Sequence, residues 1–143
     1  MTAPTASSEL DPPRNIDLDE VIAAADLRAA LRRFLRESER VAQRAGLTPQ
    51  RYLLLLMIKG APDRSEQTTV TELAERLQLA QSTVTELVTR AIEQDQVART
   101  QAAHDRRIGY LRLTPEGERL LRRSFTALEV ERRRLGELLV HLR

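Results

Sequence analysis

The chain has 143 residues, enough for one domain that buries most of its own core. It contains no cysteine, which excludes disulfides, thiol redox sensing and cysteine-held zinc. Its 23 Lys+Arg and 21 Asp+Glu residues nearly cancel to a formal net charge of +2, so an anionic partner has to be met by local clusters of charge.

Only Lys59 among those basic residues is a lysine. Arginine suits planar, bidentate contacts to phosphate, but a GC-rich coding sequence produces the same bias. No apolar run approaches the length of a membrane span, and residues 1–16 lack a charged start followed by an apolar stretch. A cytoplasmic protein without a membrane partner is expected.

Residues 1–16 are rich in Pro, Ser, Thr and Ala without periodicity and read as a flexible tail. A helix is predicted from about Asp17, capped with Glu20, along the stripe Ala24, Leu27, Leu31, Phe34, Ser38, Val41 and Ala45. Gly46 takes the favoured position just past its end. Thr48-Pro49 signals the cap and first turn of a second helix over 50–59, apolar nearly all round and hence central. Gly60-Ala-Pro-Asp63 breaks the chain, and a polar loop follows to Thr68.

The stretch Leu73–Val88, LAERLQLAQSTVTELV, carries the strongest signal. Leu73, Ala74 and Leu77 repeat at helical spacing, as do Val84, Leu87 and Val88, with a three-residue break between the sets. Two helices joined so briefly cross steeply, and the small Ala74 lets them approach. The outer face of the second helix presents Gln81, Ser82, Thr85, Glu86, Thr89 and Arg90, all able to bond base edges or phosphates. That is the pattern of a helix-turn-helix. The pentapeptide TVTEL recurs at 69–73 and 83–87, where both copies read as helix starts.

Val97–Gln101 and Ile108–Leu113 are predicted strands around the turn Ala102–Arg107. A hairpin directly after a helix-turn-helix is a wing, and its tip reads His104-Asp105-Arg106-Arg107. Arginines on a short turn suit the negative potential of a minor groove. Asp105 fits if it holds an arginine in one orientation through a bidentate pair. Thr114-Pro115-Glu116 then opens one long final helix with Leu121, Phe125, Leu128, Leu135, Leu139 and Leu142 on its apolar face, interrupted by Arg132.

From Leu47 to Gly117 these residues resemble the MarR family of winged-helix regulators. Its most specific signature is matched by Asp105-Arg106-Arg107 followed by Leu111-x-Leu113-Thr114-x-x-Gly117. The resemblance implies a mainly α fold with a small β-hairpin wing, within a domain spanning 17–143. In it, 47–115 form the winged helix-turn-helix, and 17–46 and 116–143 are dimerisation helices. The apolar stripes of the terminal helices agree, since they exceed what one small core can cover. The resemblance also places Gln81, Ser82, Thr83, Thr85, Glu86 and Arg90 on the recognition helix, and Asp105, Arg106 and Arg107 on the wing. A homodimeric repressor is implied, bound to a pseudo-palindromic operator in double-stranded DNA and released by a small organic ligand.

The chain departs from the family pattern in four places. Ala80 stands where serine often caps the recognition helix, and Gln78 where the turn usually has glycine. Asp95-Gln96 replaces a Gly-Leu pair, and Glu86 stands where arginine is common. These changes bear on operator sequence and affinity more than on fold.

The two histidines, His104 and His141, lie far apart, and no His, Asp and Glu spacing suits a metal. No Ser-His-Asp order or glycine-flanked nucleophile is present. Neither an enzyme, a metal nor a cofactor is expected. Arg51 and Tyr52 are candidate ligand contacts beneath the first helix, set against ordinary core packing. The alternative reading is a dimeric ligand- or protein-binding module of the same fold with little specific DNA affinity.

Overall fold

A computed structural model describes residues 15–141. The expected tail at 1–14 and Leu142 of the final stripe lie outside the described residues. Helix α1 (Leu18–Arg44) is capped by the Asp17 carboxylate, which accepts from the Asp19 N–H at 3.0 Å, with no box to Glu20. It ends where Gly46 turns left-handed at φ 81°, and the Leu47 N–H reaches back to the Ala42 carbonyl at 2.8 Å.

Helix α2 (Pro49–Lys59) starts at the Thr48 cap as the sequence signals. Its Leu54, Leu55 and Ile58 are fully buried, and it touches α1, the strand Gly109–Leu113, both helices of the helix-turn-helix and the helix Pro115–Ala127. It is the post around which the domain packs. Helix α3 (Val70–Leu77) begins with a reciprocal box between Thr69 and Glu72, and α4 (Gln81–Glu93) follows after three residues. Only the first TVTEL copy caps a helix. In the second, Thr83 lies inside α4, whose cap is Ala80.

The wing strands are β2 (Val97–Gln101) and β3 (Gly109–Leu113), paired antiparallel with Val97 opposite Leu113. The polar loop also supplies a strand, β1 (Gln67–Thr68), which pairs with the other side of β3. The sheet is thus three-stranded, in the order β1-β3-β2, rather than a bare hairpin. Two residues are too few to show alternation, and their partners lie more than forty positions away.

The single final helix is corrected to two, α5 (Pro115–Ala127) and α6 (Glu129–His141). Buried Ser124 bonds back to the Leu120 carbonyl at 3.2 Å, a bond that bends helices. The Leu128 N–H is then shared between the carbonyls of Ser124 and Phe125. Arg132 donates to the Phe125 carbonyl and stacks 3.3 Å above its ring. The arginine that interrupts the stripe therefore stabilises the interruption.

No residue of α6 is buried in the single chain, and along α1 only Val41 and Ala42 are. No helix among the described residues is long and apolar enough to cross a membrane.

Candidate nucleic-acid interface

Helix α4 is held by Val84, Val88 and Ala91, which enter the core, so its opposite face is fixed outward. Gln81, Ser82, Thr85, Glu86, Thr89 and Arg90 are exposed there, and Thr83 is half-buried at the edge. The hydroxyls of Thr85 and Thr89 donate to the carbonyls of Gln81 and Thr85 at 2.9 and 2.8 Å. Their oxygens thereby keep accepting capacity toward solvent. Gln81 reaches Thr71 of α3 at 3.4 Å.

The turn before α4 carries two of the departures noted above. Gln78 is left-handed at φ 56°, ψ 45°, and the Leu79 N–H bonds the Ala74 carbonyl at 3.1 Å. That geometry is the one glycine favours, so glutamine there costs backbone energy. Ala80 has cap-like dihedrals but offers no side-chain acceptor.

At the wing tip the Asp105 carboxylate accepts three bonds from one residue. The Arg107 N–H, Nε and Nη2 donate to it at 3.0, 3.1 and 3.2 Å. These bonds, the side-chain ones first, hold the Asp105 carboxyl below its ordinary value. The Arg107 side chain is 91% exposed, so its Nε–Nη2 edge is fixed on Asp105 while the rest of the guanidinium is open to solvent. Arg106 beside it is exposed too.

Helix α4 and the wing are braced from beneath by Arg51, which the sequence offers as a ligand contact, and by Gln94 and Gln96, to which it assigns no bracing role. Arg51 Nη1 donates to Gln94 Oε1 at 3.1 Å and to Gln96 Oε1 at 2.7 Å, tying α2 to the turn between α4 and β2. Its Nε is buried without a partner. Burial, then the Arg90 charge, lowers the Arg51 pKa, yet a guanidinium stays charged near neutrality. Asp95 in that turn is left-handed at φ 56°. The Thr114 hydroxyl donates to the Asp95 carbonyl at 2.5 Å and accepts from the Gly117 N–H at 3.1 Å. The Thr114-x-x-Gly117 signature thus seats α5 against the root of the wing.

Arg51 and Tyr52, weighed as ligand contacts, are both buried, at 8% and 4% exposure. Burial raises the Tyr52 pKa and Arg132 opposes it. A cleft of about 330 Å³ opens at the other end of α2, lined by Leu56, Lys59, Gly60, Leu121, Arg122 and Phe125. At its rim Lys59 pairs with Glu118 at 2.7 Å and with Glu66, and both carboxylates raise the Lys59 pKa.

Residues 45–108 match the family model of the MarR family. No curated protein sequence matches the chain. AbsC, a MarR family transcriptional regulator from Streptomyces coelicolor, superposes with a TM-score of 0.68 at 22% identity, covering 86% of this chain and 82% of AbsC. MarR of E. coli in its apo form gives 0.65 at 17% identity, over 87% and 86% of the two chains. Sco3205, a MarR family transcriptional regulator from Streptomyces coelicolor solved in complex with DNA, gives 0.65 at 25% identity, over 87% and 78%. Residues 45–108 thus match the MarR family model, within a chain that carries the winged-helix fold of these solved regulators.

Proposed function

We propose that the protein is a homodimeric transcriptional regulator that binds double-stranded DNA and represses by occupying a promoter. Helix α4 enters a major groove and the Asp105-Arg106-Arg107 tip meets the adjacent minor groove. The observation that carries this reading is the clamped, outward Arg107 beside a recognition helix whose polar face is open. The dimer places two such units about one helical turn apart on a pseudo-palindromic operator.

The second copy is called for by what one chain leaves uncovered. Leu18 and Val140 are each 69% exposed, and Ile22, Leu35, Val130 and Leu139 are exposed as well, all on the terminal helices α1 and α6. The cleft at Lys59 is where a small organic ligand would enter between α2 and α5 and relieve repression. With no acid, base or nucleophile converging in the interface, binding is the whole activity, in the cytoplasm.

Anisotropy of the purified protein on DNA from its own upstream region, titrated across salt, tests the reading. Binding far above a scrambled duplex with a steep salt slope supports a specific regulator. Equal, weak binding to both favours a dimeric ligand- or protein-binding module of the same fold. The uncapped Ala80 and the acidic Glu86 on the reading face are what speak for that alternative.

A further inference from the structure

Arg99 lies on β2, is exposed, and makes no ion pair or side-chain hydrogen bond among the described residues. Val97, two positions back, and Leu111, directly opposite across the ladder, both belong to the core. Residues so related leave a sheet on the same side. Arg99 therefore emerges on the core side, where β2 packs against α4, and not on the outer back of the wing.

Gly109 sits diagonally from Arg99, toward the hairpin tip. A Cβ on it would lie 2.7 Å from Arg99 Nη2 and 2.8 Å from Cζ, and would overlap Nε. The guanidinium thus lies over Gly109 of β3, in a place open only because residue 109 has no side chain. Gly109 is not among the residues with positive φ, so backbone conformation does not account for it. Close approach does. Laying a long side chain down in one orientation costs rotamer freedom, and no carboxylate offsets it.

We propose that Arg99 binds a backbone phosphate in the notch between α4 and the wing. That phosphate belongs to the strand segment separating the major groove entered by α4 from the minor groove met by Arg106 and Arg107. The proposal rests on the DNA-binding reading above. A guanidinium seated over Gly109 and left unpaired offers a donor fork that a phosphate accepts bidentately. Such a contact positions the protein and carries no base preference.

The test uses a duplex selected from a random pool by the wild-type dimer, with anisotropy measured across salt for Arg99→Gln, Arg99→Lys, Gly109→Ala and the Gly109→Ala/Arg99→Gln pair. Arg99→Gln should weaken binding about three- to tenfold and lower the log–log salt slope by about 0.9, on selected and scrambled duplexes alike. Arg99→Lys should restore the slope but only part of the affinity. Gly109→Ala displaces only the movable end of Arg99, so it should reproduce the loss at an unchanged unfolding midpoint and add nothing in the Arg99→Gln background. Unchanged affinity and slope for Arg99→Gln, while the wild type still prefers the selected duplex, would overturn the phosphate site alone. A loss confined to particular base pairs would overturn it too, by making Arg99 a base reader. A wild type that selects no duplex overturns both this site and the DNA-binding reading beneath it.

Discussion

Gly117 in α5 lies so close beneath Gln96 that a Cβ on it would sit 3.0 Å from the Gln96 carbonyl carbon and overlap its oxygen. The obstacle is backbone and cannot swing aside. Because Gln96 also receives the Arg51 guanidinium, this contact fixes where the wing leaves the domain. Gly117→Ala should destabilise the fold by about 1–3 kcal/mol through overpacking. That outweighs the roughly 1 kcal/mol alanine gains over glycine inside a helix. A urea midpoint at or above wild type would show that the turn yields freely.

Ala80 already has the backbone conformation of a helix cap and lacks only the oxygen. Ala80→Ser should stabilise the protein by about 1 kcal/mol, within the range of measured caps. Thermal and urea unfolding both report it. No gain would mean that the N–H groups at the start of α4 are already satisfied.

Asp105 gives a prediction whose sign opposes simple charge counting. Removing a carboxylate beside DNA should strengthen binding, yet Asp105→Ala should weaken it about two- to fivefold, because Arg107 loses its clamp. The pH dependence follows from the lowered folded pKa. The clamp is present above the ordinary carboxylate value near 3.9 and is lost only as pH falls through the lower folded value. Affinity should therefore show no titration from this group between about pH 5 and 8. Tighter binding by Asp105→Ala would remove the clamp from the mechanism.

The recognition helix and the wing should separate by the kind of loss they produce. Arg107→Ala should lower affinity on all sequences, whereas Gln81→Ala and Glu86→Ala should change which operators are preferred. A glutamate in the groove accepts from cytosine N4, so Glu86→Ala should relax selection at one base pair. Selected-pool sequencing of each variant reads this directly. Identical selected sequences for wild type and Glu86→Ala would leave Glu86 as a solvated surface group.

The dimer proposal is checked by mass. Leu18→Glu with Val140→Glu places charge on both exposed terminal faces and should give a monomer by light scattering, with binding to a full operator lost before binding to a half-site. A dimer that survives both changes would move the interface elsewhere.

Where the sequence was legible, the signals were local. Gly46, Thr48-Pro49 and Thr114-Pro115 each act within one turn, and each structural boundary falls where they indicate. The helix-turn-helix and hairpin were readable because their periods change within a few residues. What escaped depends on residues far apart in sequence. β1 needs β3 to be a strand at all, and Arg51 meets its two glutamines more than forty positions downstream. The break at Leu128 involves both Ser124 and Arg132, of which the sequence shows only Arg132, as an interruption of an apolar stripe. Arg99 on a strand reads as a solvated residue until Gly109 is placed diagonally from it.

Lys59 joins α2 to Glu66 before β1 and to Glu118 on α5, and Glu66 is shared with Arg112 on β3 at 3.5 Å. A reading head cross-tied in this way travels as one stiff piece. Any change in the separation of two recognition helices then has to be absorbed outside it. The nearest point where the helical ladder is already interrupted is Leu128, so in the proposed dimer that residue would be the joint between each head and the terminal helices.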